Sequence, residues 1–219
     1  RATLSLYYDK ETDGQFELNF NGNMYYPVRN ELYDKFDNLD TRKQGTLKAV
    51  FTMDAPHDYV GCFPYKYRGT TPSGASERLF ADDFPVYRYA DLLLMLAEAY
   101  NEDNQLDKAV AELNKVRKRQ STSMPALNSG PVWLQVSDKE DMFERIMHER
   151  AVELVGEGHR FSDLRRWGVA VQYLNNRQEK DFTGEIRFTR KFTERDYLWP
   201  IPSEEIQRNP ALKPNNPGW

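Results

Sequence analysis

Val86, Tyr89, Ala90, Leu93, Leu94, Ala97 and Tyr100 fall at i, i+3, i+4, i+7 and i+8, a stripe that only a helix packed against a partner can bury. Asp82-Asp83-Phe84-Pro85 precedes it, and acidic residues with a proline suit a helix N-terminus. A polar turn, Asn101 to Gln105, leads to a second stripe of Leu106, Ala109, Val110, Leu113 and Val116 that ends among Lys and Arg, as the helix dipole favours. Together they predict an antiparallel helical hairpin of about 34 residues, the length of one tetratricopeptide unit. The small Ala97 and Ala109 allow the two helices to approach closely.

A second hairpin follows a loop over 121–136 that carries Trp133. Ser137-Asp138-Lys139-Glu140 reads as a capping box, and the helix it opens presents Phe143, Ile146, Met147, Leu154 and Val155. Gly156 and Gly158 end that helix. The next runs from His159 to about Asn175 through Phe161, Leu164, Trp167, Val171 and Leu174, with a break at Gly168. Residues 176–195 alternate as a brief hairpin or loop would. The tail from Tyr197 has five prolines after Trp199, which excludes a long helix, although Ser203-Glu204-Glu205-Ile206 can form one turn. Trp199, Ile201, Ile206 and Leu212 are expected to anchor it, and Trp167 and Trp199 are expected in the core.

Residues 1 to about 80 show no sustained helical period and are broken at DGQ (13–15), NGN (21–23) and TPSG (71–74), which predicts loops and short strands. Tyr25-Tyr26-Pro27-Val28 is extended, because the residue before proline avoids the α region. A short helix is expected at about 29–37, where Leu32, Tyr33 and Phe36 are suitably spaced. The fold class is therefore mostly α: tetratricopeptide-like helical hairpins, an α-α superhelix, with long loops and short strands.

Composition removes several function classes. A formal charge of −4, with Lys and Arg interspersed among Asp and Glu, gives no general attraction for phosphate backbones, so nucleic acid is not an expected partner. No apolar run approaches the roughly 20 residues of a spanning helix. The single cysteine, Cys62, excludes an internal disulfide framework and a multi-cysteine zinc site, and is expected to be a small buried thiol. His148-Glu149 lacks the second helical histidine, since position 152 is Val. Gly156-Glu157-Gly158 follows a helix rather than a strand and is a helix terminator. No cofactor or metal and no catalytic residues are expected.

FPVYRYADLLLMLAEAY (84–100), LNKVRKR (113–119), ERAVELVGEGHRFSDLRRWG (149–168) and YLWPIPSEEIQRNPALKPNNPGW (197–219) resemble, in this order, the C-terminal signatures of the SusD/RagB family. Weaker echoes are YYP (25–27), LDTRK (39–43) and KYRG (66–69). The resemblance implies a surface-exposed outer-membrane lipoprotein that binds an oligosaccharide or polysaccharide and passes it to a SusC-like TonB-dependent porin, without catalysis. It also implies that the N-terminal half of the family and its lipid anchor lie outside this sequence, so that contact with a membrane would be through that anchor alone. On this reading 1–81 is a loop-rich, ligand-facing segment and 82–219 the helical domain with its proline-rich tail, the two forming one structural unit.

Sugar recognition needs flat aromatic faces to stack on ring faces, with amides, carboxylates and Arg to read hydroxyls. Trp133, between Pro131-Val132 and Leu134 in a Ser/Asn/Gly-rich loop, is one candidate, although its apolar neighbours favour an anchor in the core. Tyr25 and Tyr26 with Asn23, and Tyr7 beside Tyr8 and Asp9, are the others. Two readings from other classes remain open: a tetratricopeptide-type protein-interaction module, and a glycoside hydrolase suggested only by the 34 acidic residues. Arg150, Glu153, Arg160, Asp163, Arg165 and Arg166 are expected to form an ion-pair lattice between the third and fourth helices, the alternative being a docking face for the rest of the family fold or the porin. In Lys115 to Arg119, helical phasing turns Val116 inward and the rest outward.

Overall fold

The computed structural model describes residues 5–9, 14–18, 28, 30–51, 59–66, 83–180 and 185–219. Two compact units result, residues 1–159 and 160–219.

In the first unit, β1 (Ser5–Asp9) and β2 (Gly14–Leu18) pair antiparallel, so that Gly14 and Gln15 of the DGQ run lie in a strand, opposite Asp9 and Tyr8. Short helices α1 (Asn30–Asp34) and α2 (Arg42–Thr46) lead into β3 (Leu47–Phe51), which pairs antiparallel with β4 (Tyr59–Pro64). The sheet order is β2-β1-β3-β4, and Val28 adds an isolated bridge to Cys62. Phe36, Leu47, Cys62 and Val152 form the core beneath it.

The predicted hairpin is α3 (Tyr89–Glu102) and α4 (Leu106–Arg117), and α5 (Lys139–Glu153) packs on it. Leu94, Ala97, Ala109, Leu113, Met142 and Ile146 are each inaccessible and form the centre of this core. Ala97 and Ala109 both lose all their exposed surface, as their place in a close helix pair requires.

The start of α3 differs from the reading of Asp82-Asp83-Phe84-Pro85 as its opening. Arg88 is extended, at φ −142° and ψ 163°, and the helix begins only after it. Its guanidinium is tied to Glu153 and Glu157, which holds this residue out of the helix. Val86 therefore leaves the core stripe and is exposed, as is Tyr89 at 68%. Leu92, Met95 and Leu96 are exposed as well, so α3 is apolar on both its packed and its outward faces.

The N-cap of α5 is Asp138, one residue beyond the expected Ser137. Asp138 Oδ1 accepts from the Asp141 backbone N–H at 2.8 Å, and Asp141 Oδ2 accepts from the Ser137 N–H at 3.0 Å. A carboxylate at the cap also complements the helix dipole better than a hydroxyl would. Met142, not Phe143, takes the first buried position, following the one-residue shift.

In the second unit, α6 (His159–Arg166) and α7 (Ala170–Leu174) are separated at Gly168, whose φ of +71° is left-handed, as its reading as a break requires. β5 (Arg177–Lys180) and β6 (Ile186–Arg190) form the expected hairpin, and α8 (Ser203–Arg208) the single turn of helix in the tail. Phe192 packs edge-to-face on Phe161 at 6.1 Å and on Tyr197 at 5.8 Å, beside Leu164 and Ala170.

Trp199 is not in the core: it is 85% exposed. The backbone on either side is fixed instead. Asn216 Nδ2 donates to the Trp199 carbonyl at 2.5 Å, and Asn215 both accepts from the Ile201 N–H and donates to its carbonyl. These bonds fix the chain at Ile201, which is half-buried, and leave the indole outside. Trp167 is half-buried, with the Arg166 guanidinium 4.7 Å from its ring centroid.

Candidate functional site

The loop between α4 and α5 is built from both ends. Asn114 on α4 holds Leu127 in both directions, accepting from its N–H at 2.7 Å and donating to its carbonyl at 3.2 Å. Leu127 and Leu134 are buried and plug the helical core. Between them, Asn128 (φ +57°) and Gly130 (φ +75°) adopt left-handed conformations that turn the chain sharply, the asparagine tolerating what glycine takes freely. Pro131 then leads into one 3-10 turn, Val132–Leu134. Because Leu134 points inward, Val132 and Trp133 point outward, and Trp133 is 52% exposed.

Hydrogen bonds fix this turn. The Asn128 N–H donates to the Leu134 carbonyl at 2.8 Å, while its side-chain oxygen accepts from the Val136 N–H at 2.7 Å. Gln135 Nε2 donates to the Gly130 carbonyl at 3.2 Å. Arg145, on α5, donates to the Trp133 carbonyl through both terminal nitrogens at 3.3 Å and to the Gln135 carbonyl at 3.0 Å. Asp141, one turn earlier, receives the Arg145 Nε–H at 2.9 Å. Partial burial pushes the Asp141 carboxyl up, but the Ser137 N–H and Arg145 outweigh it and hold the group below the usual carboxylate range. The result is an ordered aromatic surface with planar amides beside it in the loop, where the Asn128 amide nitrogen and Gln135 amide oxygen have no hydrogen-bond partner among the described residues. Flat rings with free donors and acceptors nearby suit a sugar face and its hydroxyls.

Of the other candidates, Tyr7 lies in β1, where its backbone pairs opposite Phe16. Asn23, Tyr25 and Tyr26 lie outside the described residues. Arg145, Asn128 and Gln135 escaped the reading of the sequence, although Asp141 and Arg145 at i, i+4 and the Asn-Ser-Gly-Pro run before Trp133 were the available signals.

The expected charge lattice exists with different members. Glu149, Glu153 and Glu157 recur every four residues at the end of α5 and just beyond it, and all three are buried. Arg42 reaches Glu149 at 2.6 Å, Glu153 at 2.7 Å and Asp40 at 2.6 Å. Arg88 bridges Glu153 and Glu157 at 2.6 and 2.7 Å, Arg119 reaches Glu153 at 2.8 Å, Arg117 reaches Glu149 at 3.2 Å, and Lys66 pairs with Glu157. Arg117 is thus buried rather than outward, its Nε also donating to the Pro125 carbonyl at 3.0 Å. Burial works against the Arg42 charge, yet its carboxylate partners raise its pKa above the usual guanidinium value. Of the residues expected in the lattice, Glu153 belongs to it. Arg150 instead pairs with Asp91, Arg166 with Asp163 at 3.0 Å, and Arg160 sits 5.6 Å from the Tyr173 ring. The real lattice joins α5 to the segments around α2, α3 and α4: four-residue spacing stacks Glu149 and Glu153 on one face of the helix, and Arg88 joins Glu157, past the helix end, to Glu153.

Among the described residues, no group of three or more His, Cys, Asp or Glu side chains is placed to hold a metal ion, and no helix is long and apolar enough to cross a membrane. Cys62 is buried, and burial pushes its thiol up to about 12.

Comparison with known proteins places this architecture. SusD-like protein P25 of Formosa agariphila is 31% identical over 201 residues, which is 88% of this chain and 34% of the relative. Among solved structures, NanU of Bacteroides fragilis is 32% identical with a TM-score of 0.66, the match covering 99% of this chain and 44% of that one. Surface glycan-binding protein A of Bacteroides thetaiotaomicron is 25% identical with a TM-score of 0.61, over 87% of this chain and 41% of that one. The chain thus spans less than half the length of these relatives. The SusD family profile, SusD_RagB, matches residues 6–219, and the chain belongs to the SusD family.

Proposed function

We propose that this chain binds glycan at a cell surface and performs no chemistry on it. The observation that carries the reading is Trp133, half-exposed on a loop whose backbone is fixed from both sides, in a chain of the SusD family. A ring held in place loses little conformational freedom when a sugar stacks on it, so the contact energy goes into affinity. The Asn128 and Gln135 amides supply a donor and an acceptor for hydroxyls. A glycan-binding relative of similar architecture supports the same ligand class.

Family membership supports a fuller role, in which the bound glycan would pass to a SusC-like TonB-dependent porin at the outer membrane, the protein being held there by a lipid anchor. The segment 1–81 would face the ligand, with Tyr7, Asn23, Tyr25 and Tyr26 adding stacking and hydrogen-bonding groups to those of the Trp133 loop, and the helices of 82–219 would be the scaffold.

Calorimetric titration with oligosaccharides of plant, host and microbial origin, with reducing-sugar release followed in the same samples, tests the reading. Binding without release is the expected result. Release that disappears when one carboxylate is replaced would overturn it in favour of a hydrolase.

A further inference from the structure

We propose that Arg145 is the positioning residue of the Trp133 surface and that it also donates a hydrogen bond to the bound sugar; the second part rests on the glycan reading above. A guanidinium carries five N–H donors in one plane. Four are committed. Nε–H goes to Asp141 Oδ1, one hydrogen on each terminal nitrogen goes to the Trp133 carbonyl, and the second on Nη2 goes to the Gln135 carbonyl. The second hydrogen of Nη1 has no partner among the described residues.

This arrangement fixes the loop on both sides of Leu134. Trp133 and Gln135, which flank Leu134, are both exposed, and one rigid fork grips the carbonyls of both. Asp141 in turn fixes the fork, and Asp141 is itself held through the N-cap of α5. The orientation of the indole therefore rests on the register of α5 rather than on the loop alone. Lysine cannot replace this, since an ammonium on a flexible stem has no planar fork to span two carbonyls. The Arg145 side chain keeps about a quarter of its surface exposed, enough for the uncommitted N–H to meet a ligand oxygen.

The test is fluorine NMR of the chain labelled with 5-fluorotryptophan. Four tryptophans give four resonances, each assigned by its own Trp→Phe variant. With no ligand present, Arg145→Ala and Arg145→Lys should both shift and broaden the Trp133 line and leave those of Trp167, Trp199 and Trp219 in place. If Arg145→Ala unfolds, all four lines collapse together, and Arg145→Lys decides. A Trp133 line unaltered in Arg145→Lys overturns the positioning role.

The same labelled protein is then titrated with maltohexaose, cellohexaose, xylohexaose, laminarihexaose and mannohexaose. A sugar that moves the Trp133 line should bind Arg145→Lys about tenfold more weakly, the scale of one hydrogen bond plus lost alignment. Equal affinity overturns the donor role. A panel that leaves the Trp133 line still overturns the glycan reading of this surface and the donor role with it, while the ligand-free spectra continue to decide the positioning role.

Discussion

The Arg150 guanidinium donates to Asp91 Oδ1 at 2.9 Å, with both side chains 3% exposed or less, and so ties the last turn of α5 to the first turn of α3. Removing one partner of such a pair leaves a buried charge short of its counterion, which costs more than the pair contributes. Asp91→Ala should lower stability by about 3 kcal/mol in urea unfolding. Asp91→Leu combined with Arg150→Met should recover much of that loss. An unchanged urea midpoint in Asp91→Ala would show that this pair does not hold the two helices together.

Acid should loosen the same unit. Burial disfavours the Glu153 charge, but Arg119, Arg42 and Arg88 outweigh it and hold the carboxyl at about 2, against an ordinary 4.5. A carboxylate depressed in the folded state contributes stability that is fully present above its unfolded value and lost as pH falls towards its folded value. The window is therefore pH 4.5 down to about 2, and the difference is worth about 3 kcal/mol. Glu157 is shifted the same way: burial pushes its carboxyl up, but Arg88 and Lys66 outweigh it. The urea midpoint should fall steeply across this window. Glu153→Gln, less stable at neutral pH, should fall less over the same range.

The helices were legible because Ala97, Leu113 and Ile146 obey a strict period and glycines or prolines punctuate them. Arg88, Arg117 and Glu149 were not, because a buried ion pair looks in sequence like a solvated helix face. Their partners lie as far apart as Arg42 and Glu149, which local spacing cannot connect. Trp199 misled for the opposite reason. A large apolar residue among prolines reads as an anchor, yet the bonds from Asn215 and Asn216 fix the backbone and leave the indole outside. Trp133 was legible as a candidate through its polar loop, but Arg145, twelve residues on, was not, since its role is to grip backbone carbonyls that carry no sequence identity.

Close approach in the α3 and α4 pair depends on Ala97 and Ala109, both fully buried. Ala97→Leu would force a larger side chain into a packed interface and should cost about 1–3 kcal/mol. Ala97→Gly should cost about 1 kcal/mol through helix propensity. A stable Ala97→Leu variant in thermal unfolding would mean that the pair can separate without penalty.

Cys62 is buried in β4 with its thiol pushed up to about 12, so almost no thiolate forms near neutrality. Ellman's reagent at pH 8 should leave the folded chain unlabelled and report one thiol per chain in guanidinium. Rapid labelling of the folded chain would place the thiol at the surface.

Trp133 separates binding from folding more cleanly than any other residue here. Its indole is half-exposed, and the loop around it is held by backbone carbonyls and by Leu127 and Leu134, none of which depends on the ring. Trp133→Ala should therefore change stability by no more than about 1 kcal/mol, within the range of surface substitutions. If sugars stack on this face, the same change should weaken oligosaccharide binding about tenfold or more, the scale of one lost aromatic contact, with Trp133→Tyr in between. Trp199→Ala removes an indole of greater exposure that lies outside this loop and serves as the control. Loss of affinity in Trp133→Ala with none in Trp199→Ala would locate the sugar on the Arg145-held turn. The reverse would move it to the proline-rich tail, and equal retention in both would shift the search to the tyrosines of the first 26 residues, where stacking would have to come from Tyr7, Tyr25 or Tyr26.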